Sequence, residues 1–216
     1  DAQVQELMKK LMDVDFGNPS SRHQKGVVAE GYIKEARQKI AATLKVDPKE
    51  LIITSGGTES NNMALIGTAL AAKRKGNHII TTAVEHPSVK ATASFLEEQG
   101  FRITFLSVDS RGQISLEDLK EALTPDTILV SIMYVNNEIG TIQPVEEAAK
   151  LVHATVPGAV FHVDAIQAYG KVMIRPKQQG IDLLSVIHHI IKSPVLSDII
   201  HIYDIRIQKS CGCLRF

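Results

Sequence analysis

Short β-branched runs alternate with longer stretches of helical period along most of the chain. Ile33, Ala36, Ile40 and Leu44 recur at spacings of three and four, which predicts an amphipathic helix over about 27–45. Leu51-Ile52-Ile53-Thr54 predicts a buried strand, and the Ala- and Leu-rich stretch 59–75 a helix. The same reading gives a strand over 77–82, a helix over 88–98 and a strand over 102–108. Asp109-Ser110-Arg111-Gly112 is a turn, followed by a short helix over 116–123. Residues 127–133 form a continuous apolar run of the kind buried on both faces of a sheet. A helix over 144–153 and short strands over 159–163 and 183–186 complete the series. Strands alternating with helices predict an α/β domain, a mostly parallel sheet sandwiched by helices. Right-handed crossovers then gather the strand ends on one edge, where ligands of such sheets bind. No repeat, low-complexity tract or linker interrupts residues 1–186. From Ile187 the text changes to an isoleucine-dominated tail, so 1–186 is expected to be one large domain and 187–216 a tail with no matching domain.

Composition narrows the class. The chain has 216 residues, 44% hydrophobic and 22% charged, which is globular rather than disordered. Lys plus Arg equals Asp plus Glu at 24 each, which gives no support for nucleic acid or an anionic membrane as the main partner. No apolar run approaches the roughly 20 residues that span a bilayer. The chain opens with Asp1-Ala2-Gln3-Val4, with no initiator Met and no signal peptide, an opening read as a segment missing ahead of residue 1. Cys211 and Cys213 offer two ligands where a structural zinc needs four, so no metal site is expected. These features point to the cytoplasm.

Four segments at strand ends carry candidate chemistry. Thr54-Ser55-Gly56-Gly57-Thr58-Glu59 runs from an apolar strand into two glycines, a hydroxyl and a helix. Glycines admit close approach of an oxyanion, and a helix start offers free N–H groups and a positive dipole end. It is neither a Walker loop nor a GxGxxG fingerprint, and an ordinary capped glycine turn remains the alternative. His86, in Glu85-His86-Pro87, stands where a strand ends and a proline-opened helix begins, able to lay its ring on a planar ligand or merely to cap. Asn136-Asn137-Glu138 follows the most apolar strand and suits hydrogen bonding to ring or substrate oxygens, or simply turns the chain. Asp164 closes a buried strand, where a carboxylate is costly unless paired. A protonated pyridine nitrogen is one partner, and a helix start that it caps is the bland alternative. Gln167 lies three residues on, within reach of a ring's phenolic oxygen. Together the four form a phosphate cup, a flat cover, an amide and an acid, the set pyridoxal 5'-phosphate requires of a protein.

The runs Gly17-Asn18-Pro19-Ser20-Ser21, 54–62, Glu85-His86-Pro87, 135–143 and His162-Val163-Asp164-Ala165-Ile166-Gln167 resemble the cysteine desulfurase family, class-V aminotransferase-like enzymes of fold-type I. The match runs from about residue 13 to 186. It implies a pyridoxal-phosphate-binding large domain, incomplete here. Gly57 and Thr58 would hold the phosphate, and His86 would stack on the ring and relay protons. Asn137 would bond the phenolic oxygen or the substrate, Gln167 the ring oxygen, and Asp164 would pair with the pyridine nitrogen. It also implies removal of sulfur from L-cysteine, a sulfur-acceptor or scaffold protein as partner, and a homodimer.

The sequence departs from the family after the Asp-Leu-Leu-Ser strand. Where the family has a Ser-x-His-Lys segment whose lysine forms the Schiff base, the serine position is Ile187, the histidine position His189 and the lysine position Ile190. His189 would still touch the cofactor. The nearest lysine, Lys192, is two residues late, a displacement of roughly 6–7 Å in an extended segment. The family's sulfur-accepting cysteine has no counterpart in Cys211 or Cys213, and its smaller domain is not matched. The sequence therefore presents either a desulfurase-like lyase or a catalytically dead remnant of one.

Overall fold

The computed structural model describes residues 2–186 and 205–208. Ile187, His189, Ile190, Lys192, Cys211 and Cys213 lie outside the described residues.

The chain opens with two helices, α1 (Ala2–Asp13) and α2 (Gln24–Leu44), joined by the segment 14–23. From there strand and helix alternate: β1 (Leu51–Ile53), α3 (Gly57–Ala72), β2 (His78–Thr82), α4 (Pro87–Glu98) and β3 (Arg102–Leu106). Next come α5 (Leu116–Ala122), β4 (Thr127–Met133), α6 (Val145–Thr155), β5 (Val160–Asp164), the one-turn α7 (Pro176–Gln179) and β6 (Leu183–Val186). A last strand, β7 (Ile205–Gln208), belongs to the segment to which the sequence assigns no element. The first helix is likewise an addition to the sequence reading, which begins its elements at about residue 27.

The strands make one sheet in the order β1-β7-β6-β5-β4-β2-β3. Neighbouring pairs from β6 to β3 are all parallel, and β7 runs antiparallel to both β1 and β6. The mostly parallel sheet read from the sequence is the sheet observed. Alternate residues of the central strands feed two cores, one on each face, which makes three layers. Ile79 and Leu129 pack with Ala64, Leu65, Val89 and Leu96 of α3 and α4. Ile80, Val130 and Ile132 pack with Ile40 of α2, Leu119 of α5 and Ala148 and Val152 of α6. The continuous run over β4 reports burial correctly, since β4 is buried at every position, and β2 is buried throughout as well although its text includes His78, Thr81 and Thr82.

The strand order reverses direction once. From β2 the chain steps outward to β3, then returns to place β4 on the other side of β2. The crevice outside the carboxyl ends of β2 and β4 is where such a sheet opens to receive a ligand.

Candidate active site

A cleft of about 290 Å³ opens at that switch point, lined by Gly57, Thr58, His86, Ser88, Met133, Val135, Asn137, Asp164, Ile166 and Gln167. Gly57, Thr58, His86, Asn137, Asp164 and Gln167, read from four separate stretches of sequence, converge on this one cavity.

The cup is the start of α3. Gly56 precedes the helix with no side-chain cap on its N–H groups. A Cβ at Gly56 would meet none of the described residues within 4 Å. Glu59 reaches back to accept the Ser55 backbone N–H, which steadies the entry to the helix. The uncapped donors and the dipole end leave a ready anion site.

His86 is exposed at the N-cap of α4, and its Nδ1 accepts the Ser88 backbone N–H at 3.1 Å. Asp164 ends β5 and is 4% exposed. Its Oδ1 accepts the Ile166 N–H at 3.1 Å and its Oδ2 the Asn61 amide at 2.8 Å. Burial pushes its carboxyl above the usual carboxylate range, against the pull of those hydrogen bonds and of His86. Among the described residues no lysine or arginine figures in the influences on it. An acid so placed favours a cationic partner inside the cleft. Asn137 is exposed on the cleft wall, while Gln167 Oε1 accepts from Lys171 Nζ at 3.2 Å.

Asn61, Glu85 and His162 carry no role in the sequence reading, and Asn136, read there as an amide for ring or substrate oxygens or as a turn residue, turns the chain. Asn61 touches both Asp164 and Ser88. The neighbouring Asn136 forms the loop that presents Asn137: its Oδ1 accepts the Glu138 and Ile139 N–H groups and its Nδ2 donates to Val84. Glu85 is 2% exposed, with Oε1 accepting both the Thr82 hydroxyl and the Met133 N–H at 2.8 Å. Burial and the charge of Asp164 push its carboxyl up to about 8. Beneath the cleft, His162 bridges the Ser131 and Ser185 hydroxyls across three strands, and Ser60 of α3 donates to Ser185 at 2.9 Å. The second turn of α3 is thereby tied to the strand that carries Asp164 and to its neighbour. The one available sequence signal was helical: Asn61 stands four residues after Gly57, on the same face.

The described residues contain no helix long and apolar enough to cross a membrane.

Known proteins share the fold and much of the sequence. The model of the family "Aminotransferase class-V" matches residues 1–194. The putative cysteine desulfurase IscS 1 of Bacillus subtilis (strain 168) is 48% identical over 194 residues, covering 90% of this chain and 51% of that protein. A solved NifS-like protein superposes with a TM-score of 0.90 at 36% identity, over 100% of this chain and 57% of the other. The solved structure of SspA in complex with cysteine gives a TM-score of 0.86 at 36% identity, over 97% and 58%. The chain spans about half the length of the curated relatives it matches. Sheet and cleft define the large domain of a fold-type I transferase. The chain belongs to the aminotransferase class-V family, and its curated relatives are cysteine desulfurases.

Proposed function

We propose that this chain is the cofactor-holding part of a pyridoxal-phosphate enzyme that removes sulfur from L-cysteine, with residues 1–186 as its large domain. The observation that carries the reading is the meeting of an uncapped helix start, His86, Asn137, Asp164 and Gln167 in one cleft. The donors present fit the group. The N–H groups of Gly57 and Thr58 suit a phosphate, and the exposed imidazole of His86 can cover one face of a ring. The buried carboxylate of Asp164 can hold a proton on a ring nitrogen. The amides of Gln167 and Asn137 can donate to a ring oxygen or to the substrate carboxylate.

Bound there, pyridoxal phosphate would supply an electron sink for charge developing on the substrate carbons. The chain's own residues bind, orient and exchange protons around it, with His86 the proton-carrying group nearest the open side. The overall change balances without an external oxidant. The carbon–sulfur bond of cysteine breaks and its carbon gains a proton to give alanine. The sulfur forms a bond to an acceptor thiol, leaving a persulfide. The proposal extends to delivery of that persulfide to a sulfur-acceptor or scaffold protein serving iron–sulfur clusters or thiolation. It also takes in a homodimer and residence in the cytoplasm.

A second reading has its own observation. Ile190 stands in the Schiff-base position and Lys192 two residues later, which favours a chain that binds the cofactor without turning over. One titration separates the readings. The purified chain is mixed with pyridoxal phosphate, scanned for an imine band, reduced with borohydride and mapped by peptide. Label on Lys192 supports the enzyme, whereas binding with label scattered over surface lysines supports the inactive form. Absence of saturable binding sinks both. Asp164→Asn is expected to weaken binding by roughly tenfold to a hundredfold, the worth of one charge-assisted hydrogen bond. Unchanged affinity would remove Asp164 from the site.

A further inference from the structure

Four side chains are strung together along the inner wall of the cleft. Asn61 is fully buried in the second turn of α3, and its Nδ2 donates twice, to Asp164 Oδ2 at 2.8 Å and to Ser88 Oγ at 3.1 Å. Ser88 Oγ lies 2.8 Å from His86 Nδ1. The directions follow from the chemistry of the groups. A backbone N–H only donates, so the bond from Ser88 N makes His86 Nδ1 an acceptor. Ser88 Oγ accepts from the amide, which leaves its own proton for Nδ1. The amide cannot be turned over without setting Oδ1 against the carboxylate of Asp164. Among the described residues Asn61 Oδ1 meanwhile has no partner although it is buried, an arrangement proteins seldom retain without a use for the other end of the group.

We propose that Asn61 is a positioning residue that couples Asp164 to His86 through the Ser88 hydroxyl, holding the neutral imidazole with its proton on Nε2. His86 then enters any reaction as a donor at Nε2, and the state of the carboxylate is felt at the ring through one amide and one hydroxyl. The consequence for catalysis rests on the reading of both residues as cofactor-facing, but the coupling itself does not.

Two-bond proton–nitrogen correlation spectra of the full chain test it, with His86 assigned by the signals lost in His86→Gln. The expected wild-type pattern is an unprotonated Nδ1 and a protonated Nε2, with the Nδ1 resonance displaced by Asp164→Asn. In Asn61→Leu and in Ser88→Ala backgrounds the same Asp164→Asn change is expected to leave Nδ1 where it was. Ser88→Ala keeps Asn61 and the backbone donor, so it carries the test if Asn61→Leu does not fold. A purely structural Asn61 would shift the melting temperature without altering how Nδ1 answers to residue 164. A protonated Nδ1, no response to Asp164→Asn, or an equal response in all backgrounds would overturn the proposal. Intact coupling in a chain that does not bind pyridoxal phosphate would instead sink only the functional reading above.

Discussion

At the scale of single residues, the site separates groups that text can reveal from groups that only contact can. His86 and Asp164 are legible because each follows a strand end in a segment with a recognisable chemical purpose. Glu85 is not, although it sits beside His86, because its importance comes from being sealed in by β4. The Glu85 carboxyl, ordinarily near 4.5, is pushed up to about 8 by burial and by Asp164. Between those values the folded chain holds a proton that the unfolded chain has lost. The stabilisation is therefore full below pH 4.5 and is lost as pH climbs through 8, at about 1.4 kcal/mol per pH unit within the window. Glu85→Gln keeps an acceptor for Thr82 and Met133 and removes only the charge. Thermal melts should show the variant matching wild type near pH 5 and exceeding it by several degrees above pH 8. Parallel curves across that range would show that Glu85 does not titrate between folded and unfolded states.

At the scale of elements, periodicity finds β1 to β6 and the helices from α2 to α6 to within a few residues, but not the turn that joins α1 to α2. Its run Gly17-Asn18-Pro19-Ser20-Ser21 is visible in the sequence only as a resemblance. In the structure it is a close approach of backbones. A Cβ at Gly26, in the first turn of α2, would lie 2.1 Å from Ser21 O and 2.8 Å from Asn18 O. No side chain can shift to relieve that contact. Gly26→Ala should therefore cost about 1–3 kcal/mol and lower the melting temperature by several degrees. Gly31, five residues further along the same helix, has nothing within 4 Å of its Cβ position. Gly31→Ala should raise stability by about 0.5–1 kcal/mol through helix propensity alone. Calorimetry on the pair checks the assignment, since two changes of like sign would mean that propensity, not the close approach, governs Gly26. The first helix escapes the sequence reading for a related reason: among its described residues only Val4 is buried, so its apolar stripe is too thin to announce it. β7 is missed because its neighbours in the sheet, β6 and β1, come from separate stretches of text well before it.

At the scale of the whole molecule, strand order is what turns scattered motifs into a cleft, and it is also what seals two titrating groups at opposite ends of β2. Alternating elements make the α/β class legible, but the reversal between β2 and β4 depends on pairings that no local pattern encodes. His78 opens β2, fully buried, with Nδ1 2.8 Å from the Thr127 hydroxyl and Nε2 2.8 Å from that of Thr104. Burial and the nearby Arg102 lower it from 6.5 to about 4. Over that interval the unfolded chain takes up a proton the folded chain refuses. The stability it contributes is thus present above pH 6.5 and lost as pH falls through 4. Glu85, just past the other end of the strand, acts in the opposite sense as pH rises from 4.5 to 8. The two slopes nearly cancel where their windows overlap, so the cofactor-free chain should show a broad stability maximum between about pH 4.5 and 6.5. Melting temperature measured from pH 4 to 10 should trace that dome, with Glu85→Gln replacing it by a rise up to about pH 6.5 and a plateau above. The His78 ring proton should show no titration between pH 8 and 5. A His78 signal that moves near 6.5 would mean that water reaches the start of β2, and the acid limb would then have to come from carboxylates elsewhere.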